Sequence, residues 1–252
     1  MTYSWPSAGN AFSYRADRAK ITEPVVADLQ LFLTALSRNT GADKVHVIAH
    51  SMGNEFLIRA MQALAETDPP EPYLDQVVFA SPDVDAVEFS QAVSAIGNVA
   101  ENLTLYASSK DKALQASQRY NRSNSRAGDA GSPVVLDGLN TVDTTVVSEG
   151  NLGHSDIFGA AFADFQAVLW HSFAPEERCV LSRKTLSSGT SWVFGIPRES
   201  YCGQNEFSTA MTTLRRLGPQ RAAQALETRA ETDSGSASSR WRSALEIIRS
   251  LR

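Results

Sequence analysis

The sequence predicts an α/β protein, a mostly parallel sheet with helices on both faces. Three observations lead there. Four short runs rich in β-branched or aromatic residues, Lys44–Ala49, Gln76–Ala80, Leu103–Ala107 and Val142–Val147, read as strands. Longer helical patterns fill the gaps between them. Strand and helix alternate in strict turn, the signature of parallel strands joined by crossover helices.

Each element has its own justification. Thr2–Trp5 is a weaker strand candidate, ended by Pro6. Between Thr22 and Ser37 the apolar residues Val25, Val26, Leu29, Phe32, Leu33 and Leu36 fall on one helical face. Thr22 suits the N-cap of that helix, and Pro24 is tolerated in its first turn. Gly53–Thr67 carries Phe56, Leu57, Ala60 and Leu64 on one side; Asp85–Ala95, Asp111–Tyr120 and Ser155–Phe173 are further helical stretches. Residues 121–140 are rich in Ser, Asn, Arg, Gly and Asp and read as a long excursion before the last strand.

After Phe173 the pattern loses its clean period. Phe207–Glu231 is helical in pattern but broken by Gly218-Pro219, Thr232–Ser239 reads as a flexible linker, and Arg240–Arg252 as a short amphipathic helix. The expected division is an α/β domain over 1–173 and an appended tail over 174–252, outside the sheet.

Composition narrows the function classes. The chain has 252 residues, 42% hydrophobic and 20% charged, enough to bury a sizeable core. No apolar run is long enough for a transmembrane helix. The first residues lack a basic segment followed by an apolar stretch, so a cytoplasmic location is expected. Two cysteines, Cys179 and Cys202, make neither a disulfide framework nor a four-ligand zinc site, and no metal or cofactor is expected. Net charge is −5; residues 1–210 hold fifteen basic and twenty-four acidic side chains, so the body is a poor match for nucleic acid. The basic residues of the last segment read as a solvated helix face.

The chemistry centres on Ala49-His50-Ser51-Met52-Gly53. This is a small-x-Ser-x-Gly pattern between a strand and a helix, the form of a nucleophile elbow. Ser-x-Gly alone has no value as a signal, since it also occurs at Ser7, Ser148 and Ser187. Only Ser51 follows an apolar strand and opens a helix; the plain alternative is an ordinary serine N-cap. The N–H of Met52, next in the chain, would be one oxyanion donor.

A serine needs a positioned base. His46 lies inside a strand, His171 late in an apolar helix, and His50 shares the turn of Ser51 as a shaping residue. His154 is left, in the glycine-rich Gly150-Asn151-Leu152-Gly153-His154-Ser155 just past the last strand. The base in turn needs a carboxylate. Asp111, after Leu103–Ala107, has the shorter reach; Asp83, after the preceding strand, is the alternative acid. Asp111, Asp83 or the nearby Asp85 would equally suit a helix N-cap.

Six short motifs occur in order: Ser4–Ser7, His50–Asn54, Pro82–Asp85, Ser109–Leu114, Arg126–Asp129 and Gly153–Ser155. On them the chain resembles an uncharacterised bacterial α/β-hydrolase family of unknown function, over about residues 3–172. The resemblance implies an α/β-hydrolase fold and a Ser51, Asp111 and His154 triad. It implies no substrate. Family members carry further strands before Ser-Trp-Pro-Ser, one ending in a His-Gly-Tyr-Asn loop like the oxyanion loop of lipases. Against that pattern the chain reads as N-terminally truncated, with one oxyanion donor lacking and a sheet edge exposed.

The leading functional expectation is therefore a serine hydrolase acting on a small-molecule ester or related acyl substrate. The second is a catalytically impaired or inactive hydrolase-like domain that only binds, because the oxyanion loop is missing. The third is an interaction module working through the basic tail. Self-association through the exposed sheet edge, at Lys44–Ala49 or Thr2–Trp5, is also expected.

Overall fold

A computed structural model describes residues 1–8, 13–121, 125–148, 153–155, 158, 161–178, 180–194, 219–232, 242, 245–246 and 249. Six strands form one sheet: β1 (His46–His50), β2 (Leu74–Ala80), β3 (Ala100–Ala107), β4 (Leu139–Asp143), β5 (Leu181–Leu186) and β6 (Gly189–Phe194). Their order across the sheet is β1-β2-β3-β4-β6-β5. All neighbours are parallel except the β5–β6 pair. The helices are α1 (Tyr14–Arg18), α2 (Glu23–Asn39), α3 (Gly53–Ala65), α4 (Ala86–Ser94), α5 (Lys112–Asn121), α6 (Phe162–His171) and α7 (Pro219–Thr232).

Side chains alternate along a strand, so each strand feeds two cores. On one face Val77, Phe79 and Leu105 meet Leu29 and Leu33 of α2, Phe56, Met61 and Leu64 of α3, and Phe89 and Val93 of α4. On the other, Val78, Ala80, Tyr106 and Val142 meet Phe165 and Val168 of α6, with Trp192 and Phe194 of β6. Within that second core Tyr106 Oη donates to Asp164 Oδ2 at 2.6 Å, and Arg178 Nη1 lies 3.2 Å from the same oxygen. Burial raises the pKa of both the Asp164 carboxyl and the Tyr106 hydroxyl. Among the described residues no helix is long and apolar enough to cross a membrane.

Three expectations are corrected here. Thr2–Trp5 forms no strand; Tyr3 packs on Phe32 and Trp5 on Phe56 instead, so these aromatics cover α2 and α3 rather than extend the sheet. The strand expected over Val142–Val147 is Leu139–Asp143 instead. Asp143 Oδ1 accepts the Thr145 N–H at 2.9 Å, which turns the chain into a 3-10 helix over Thr145–Val147. Residues after 173 are not outside the sheet: β5 and β6 form a hairpin, and β6 pairs with β4 through Val142↔Trp192 and Asp143↔Val193. The physical reason is that β5 is an edge strand, Leu-Ser-Arg-Lys-Thr-Leu, whose exposed polar residues hide the strand period.

The Ser155–Phe173 helix begins at Phe162 in the described residues, and residues 156–157 and 159–160 lie outside them. Both cysteines, the Thr232–Ser239 linker beyond residue 232, and most of Arg240–Arg252 also lie outside. Because β1 to β4 are parallel, their C-terminal ends share one edge. The segments around 51–53, 81–85, 108–111, 144–148 and 153–155 therefore gather there, where open α/β sheets bind ligands.

Candidate active site

Ser51 leaves β1 with φ +55°, a left-handed conformation that costs a non-glycine residue on the order of 1–3 kcal/mol. Its neighbours hold it there. The Ser51 N–H donates to Ala80 O at 3.0 Å. Its carbonyl accepts from Asn54 N at 3.2 Å, Asp83 N at 3.3 Å and Asn54 Nδ2 at 2.9 Å. Asn54 Nδ2 also reaches Ala80 O at 3.1 Å, so one buried amide ties the turn to β2. The turn lifts the serine into a cleft of about 990 Å³ that His50, Met52 and His154 also line.

The small residue expected two positions after the serine has no steric duty here. A Cβ on Gly53 would meet nothing within 4 Å, because Gly53 faces the cleft rather than the strand. Met52 has αR geometry, φ −60° and ψ −26°, at the start of the 13-residue α3. Among the described residues no acceptor takes its N–H, and the helix dipole puts partial positive charge at that end.

His154 is held from two sides. Its Nδ1–H donates to Asp111 Oδ2 at 2.7 Å, and Asp111 is 1% exposed. With Nδ1 carrying the proton, neutral His154 keeps a lone pair on Nε2. The other oxygen, Asp111 Oδ1, accepts from Leu114 N at 3.0 Å and so caps α5. Gly153 makes this approach possible: its φ is +66°, and a Cβ there would lie 2.7 Å from Lys110 O. On the far side His50 Nε2–H donates to the His154 carbonyl at 2.7 Å, and the two rings lie 4.7 Å apart. Burial, with help from the neighbouring His154, lowers the His50 pKa although that hydrogen bond opposes it.

Asp83 does not contact His154. Its Oδ1 accepts from Ser117 Oγ at 2.7 Å and lies 3.2 Å from Arg126 Nε. Arg126 is 2% exposed, and its segment clamps the turn after β2 through Ala127 N to Val84 O at 2.9 Å and Gly128 N to Pro82 O at 3.1 Å. Gly128 has no room for a Cβ, which would meet Ser81 C and Pro82 N at 2.8 Å. Asp85 is a helix cap, accepting from Val87 N at 2.9 Å. Within the expected excursion, Arg126, Ala127 and Gly128 thus brace the Asp83 turn. Sequence reading missed this role of Arg126, and the role of Asn54; a buried Arg and a buried amide carry no local signal, since their partners are distant in the chain.

The structure therefore gathers Ser51, Met52 and His154 around one cleft, hydrogen-bonds Asp111 to His154, and keeps Asp83 for Arg126. Among the described residues no three His, Cys, Asp or Glu side chains gather as a metal site. A mostly parallel sheet with helices on both faces and a strained serine between a parallel strand and a helix define an α/β-hydrolase-like fold. The chain belongs to the family described as alpha/beta hydrolase of unknown function (DUF900), whose model matches residues 1–162. No curated protein and no solved structure matches the chain.

Proposed function

We propose that the chain is a serine hydrolase that cleaves a small-molecule ester or related acyl compound. Ser51 is the nucleophile, His154 the base, Asp111 its carboxylate partner, and the Met52 N–H an oxyanion donor. The observation that carries this reading is the 2.7 Å His154–Asp111 hydrogen bond beside a serine at φ +55° in the same cleft.

The steps follow from these groups. Ser51 Oγ attacks the carbonyl carbon while its proton passes to His154 Nε2. Negative charge develops on the carbonyl oxygen, opposite the Met52 N–H and the start of α3. The intermediate collapses, the alcohol leaves with the proton from His154, and an acyl-Ser51 ester remains. Water then gives its proton to His154 and attacks that ester. Collapse of the second intermediate releases the carboxylic acid and returns the proton to Ser51. Asp111 keeps the imidazole in the productive tautomer and stabilises the imidazolium.

The test is a fluorophosphonate probe followed by peptide mapping. The modification is expected on Ser51 and is lost in Ser51→Ala and in His154→Ala. Labelling of another serine with Ser51 unmodified would remove the assignment. Labelling at Ser51 without turnover of any ester would identify the impaired domain.

A further inference from the structure

Helix α5 starts at the candidate acid–base pair and runs along the cleft. Its residues Ala113, Ala116, Ser117 and Tyr120 line the wall at i, i+3, i+4 and i+7 spacing. The two alanines leave width, and Tyr120 stands nine residues beyond Asp111, about 13 Å along the axis at 1.5 Å per residue. There the Arg15 guanidinium of α1 lies over the Tyr120 ring, 4.5 Å from its centroid, and Tyr14 meets the same ring edge-on. Arg15 is exposed and also lines the cleft.

The charges around Arg15 are already spoken for. Asp17 accepts from Ala8 N at 2.8 Å and pairs with Lys20 at 3.1 Å. Asp83 pairs with Arg126 at 3.2 Å. Among the described residues no carboxylate pairs with Arg15. A guanidinium held over a ring keeps N–H donors turned away from that ring, and the arginine fork can take a carboxylate or phosphate in two hydrogen bonds.

We infer that Arg15, held on Tyr120, binds an anionic group of the substrate, so that the preferred substrate is an ester carrying a carboxylate or phosphate some distance from the cleaved bond. The apolar wall of Ala113, Ala116 and Trp5 takes the chain between the two ends. This rests on the hydrolase reading, which assigns the cleaved bond to Ser51. The subsite selects substrates through binding and makes no contact with the reacting atoms.

The test uses matched esters. The p-nitrophenyl monoester of suberic acid is compared with p-nitrophenyl octanoate, which places the charge on the acyl part. The butyrate ester of 4-hydroxybenzoic acid is compared with phenyl butyrate, which places it on the leaving group. In at least one pair the anionic ester is expected to show a KM lower by roughly five-fold, the scale of an exposed ion pair. That preference disappears in Arg15→Gln and fades as salt shortens the Debye length from about 10 Å to about 3 Å. The p-nitrophenyl ester of 7-phosphonoheptanoic acid, with a phosphonate in place of the far carboxylate, separates the two anions. Turnover through Ser51 with no anionic preference, or a preference unchanged in Arg15→Gln, overturns the subsite and leaves the hydrolase reading standing. If no ester is turned over, the hydrolase reading fails, and titration of the same esters into Ser51→Ala and Ser51→Ala/Arg15→Gln decides the subsite alone. Tighter binding of the anionic ester that is lost with Arg15 supports it; equal binding overturns it.

Discussion

Asp111→Asn separates the two duties of one carboxylate. Oδ1 caps α5 through Leu114 N–H at 3.0 Å, and Oδ2 accepts the His154 Nδ1 proton at 2.7 Å. An amide has one acceptor and one pair of donors, so it performs only one duty. If its oxygen keeps the cap, its NH₂ faces Nδ1 and drives the imidazole proton to Nε2, which removes the lone pair facing the cleft. If it flips, a donor faces the Leu114 N–H, the cap is lost at a cost of about 1 kcal/mol, and buried donors are left unmatched at about 1–3 kcal/mol more. The first arrangement wins by that margin. The expected result is a variant within about 1 kcal/mol of the parent in stability. Its kcat on short-chain p-nitrophenyl esters falls about 10⁴-fold, the scale of losing the correct tautomer in a serine triad, or about 5.5 kcal/mol of barrier. Asp111→Ala loses both duties and shows the same kinetic defect with a further loss of about 0.5–2 kcal/mol in urea unfolding. A folded Asp111→Asn that retains kcat within about ten-fold of the parent would refute the role of Asp111.

Other outcomes follow from the same contacts. Gly153→Ala puts a Cβ 2.7 Å from Lys110 O at φ +66°, and is expected to lose about 1–3 kcal/mol of stability and most esterase activity; unchanged melting and unchanged kcat would contradict it. His46 and His50 both have pKa values lowered by burial from the ordinary 6.5, so the unfolded chain binds protons that the fold refuses. Stability is therefore expected to fall as pH drops below about 6.5, and His46→Gln/His50→Gln to flatten that fall between about pH 7.5 and about pH 5.5; equal slopes in urea titrations would contradict it. Strand β1 ends the sheet order, and Ile48 on it is 41% exposed. Concentration-dependent dimerisation through that edge is expected by light scattering and is expected to vanish in Ile48→Lys, while a constant monomer mass excludes it.

Much of this arrangement is legible in the sequence because its signals are local. The runs around Val77 and Leu105 announce strands, and Ser51 is singled out by standing between an apolar strand and an amphipathic helix. His154 stands apart from the other three histidines by lying in a glycine-rich loop past a strand, and Asp111 is pointed to by the adjacency of β3 to β4. The hairpin of β5 and β6 was not legible, because an edge strand such as Ser182-Arg183-Lys184-Thr185 carries little apolar alternation. Thr2–Trp5 misled for the opposite reason: aromatic and β-branched residues suit a strand, yet Tyr3 and Trp5 are used as packing groups over Phe32 and Phe56. Asn54 and Arg126 fall within the short motifs, but their bracing roles are not legible because their partners, Ala80 and Asp83, lie 26 and 43 residues away.

The proposed chemistry divides into two halves that the fold supports differently. The acid–base half is interlocked: His50 holds the His154 carbonyl, Gly153 lies against Lys110, and Asp111 is anchored by the helix it caps. The charge-stabilising half rests on the Met52 N–H and the start of α3, and a full oxyanion hole uses a second donor worth about 10²–10³ in rate. Both halves act in both assays: capture of a fluorophosphonate and each step of ester turnover need the activated serine and build negative charge on an oxygen at the donors. Asp111→Asn is therefore expected to lower labelling rate and kcat together without removing the donor. Met52→Pro, which removes the backbone N–H, is expected to lower both by about 10²–10³-fold. A folded Met52→Pro variant that keeps its labelling rate and its kcat would mean that the backbone N–H of residue 52 is not where the developing charge is held.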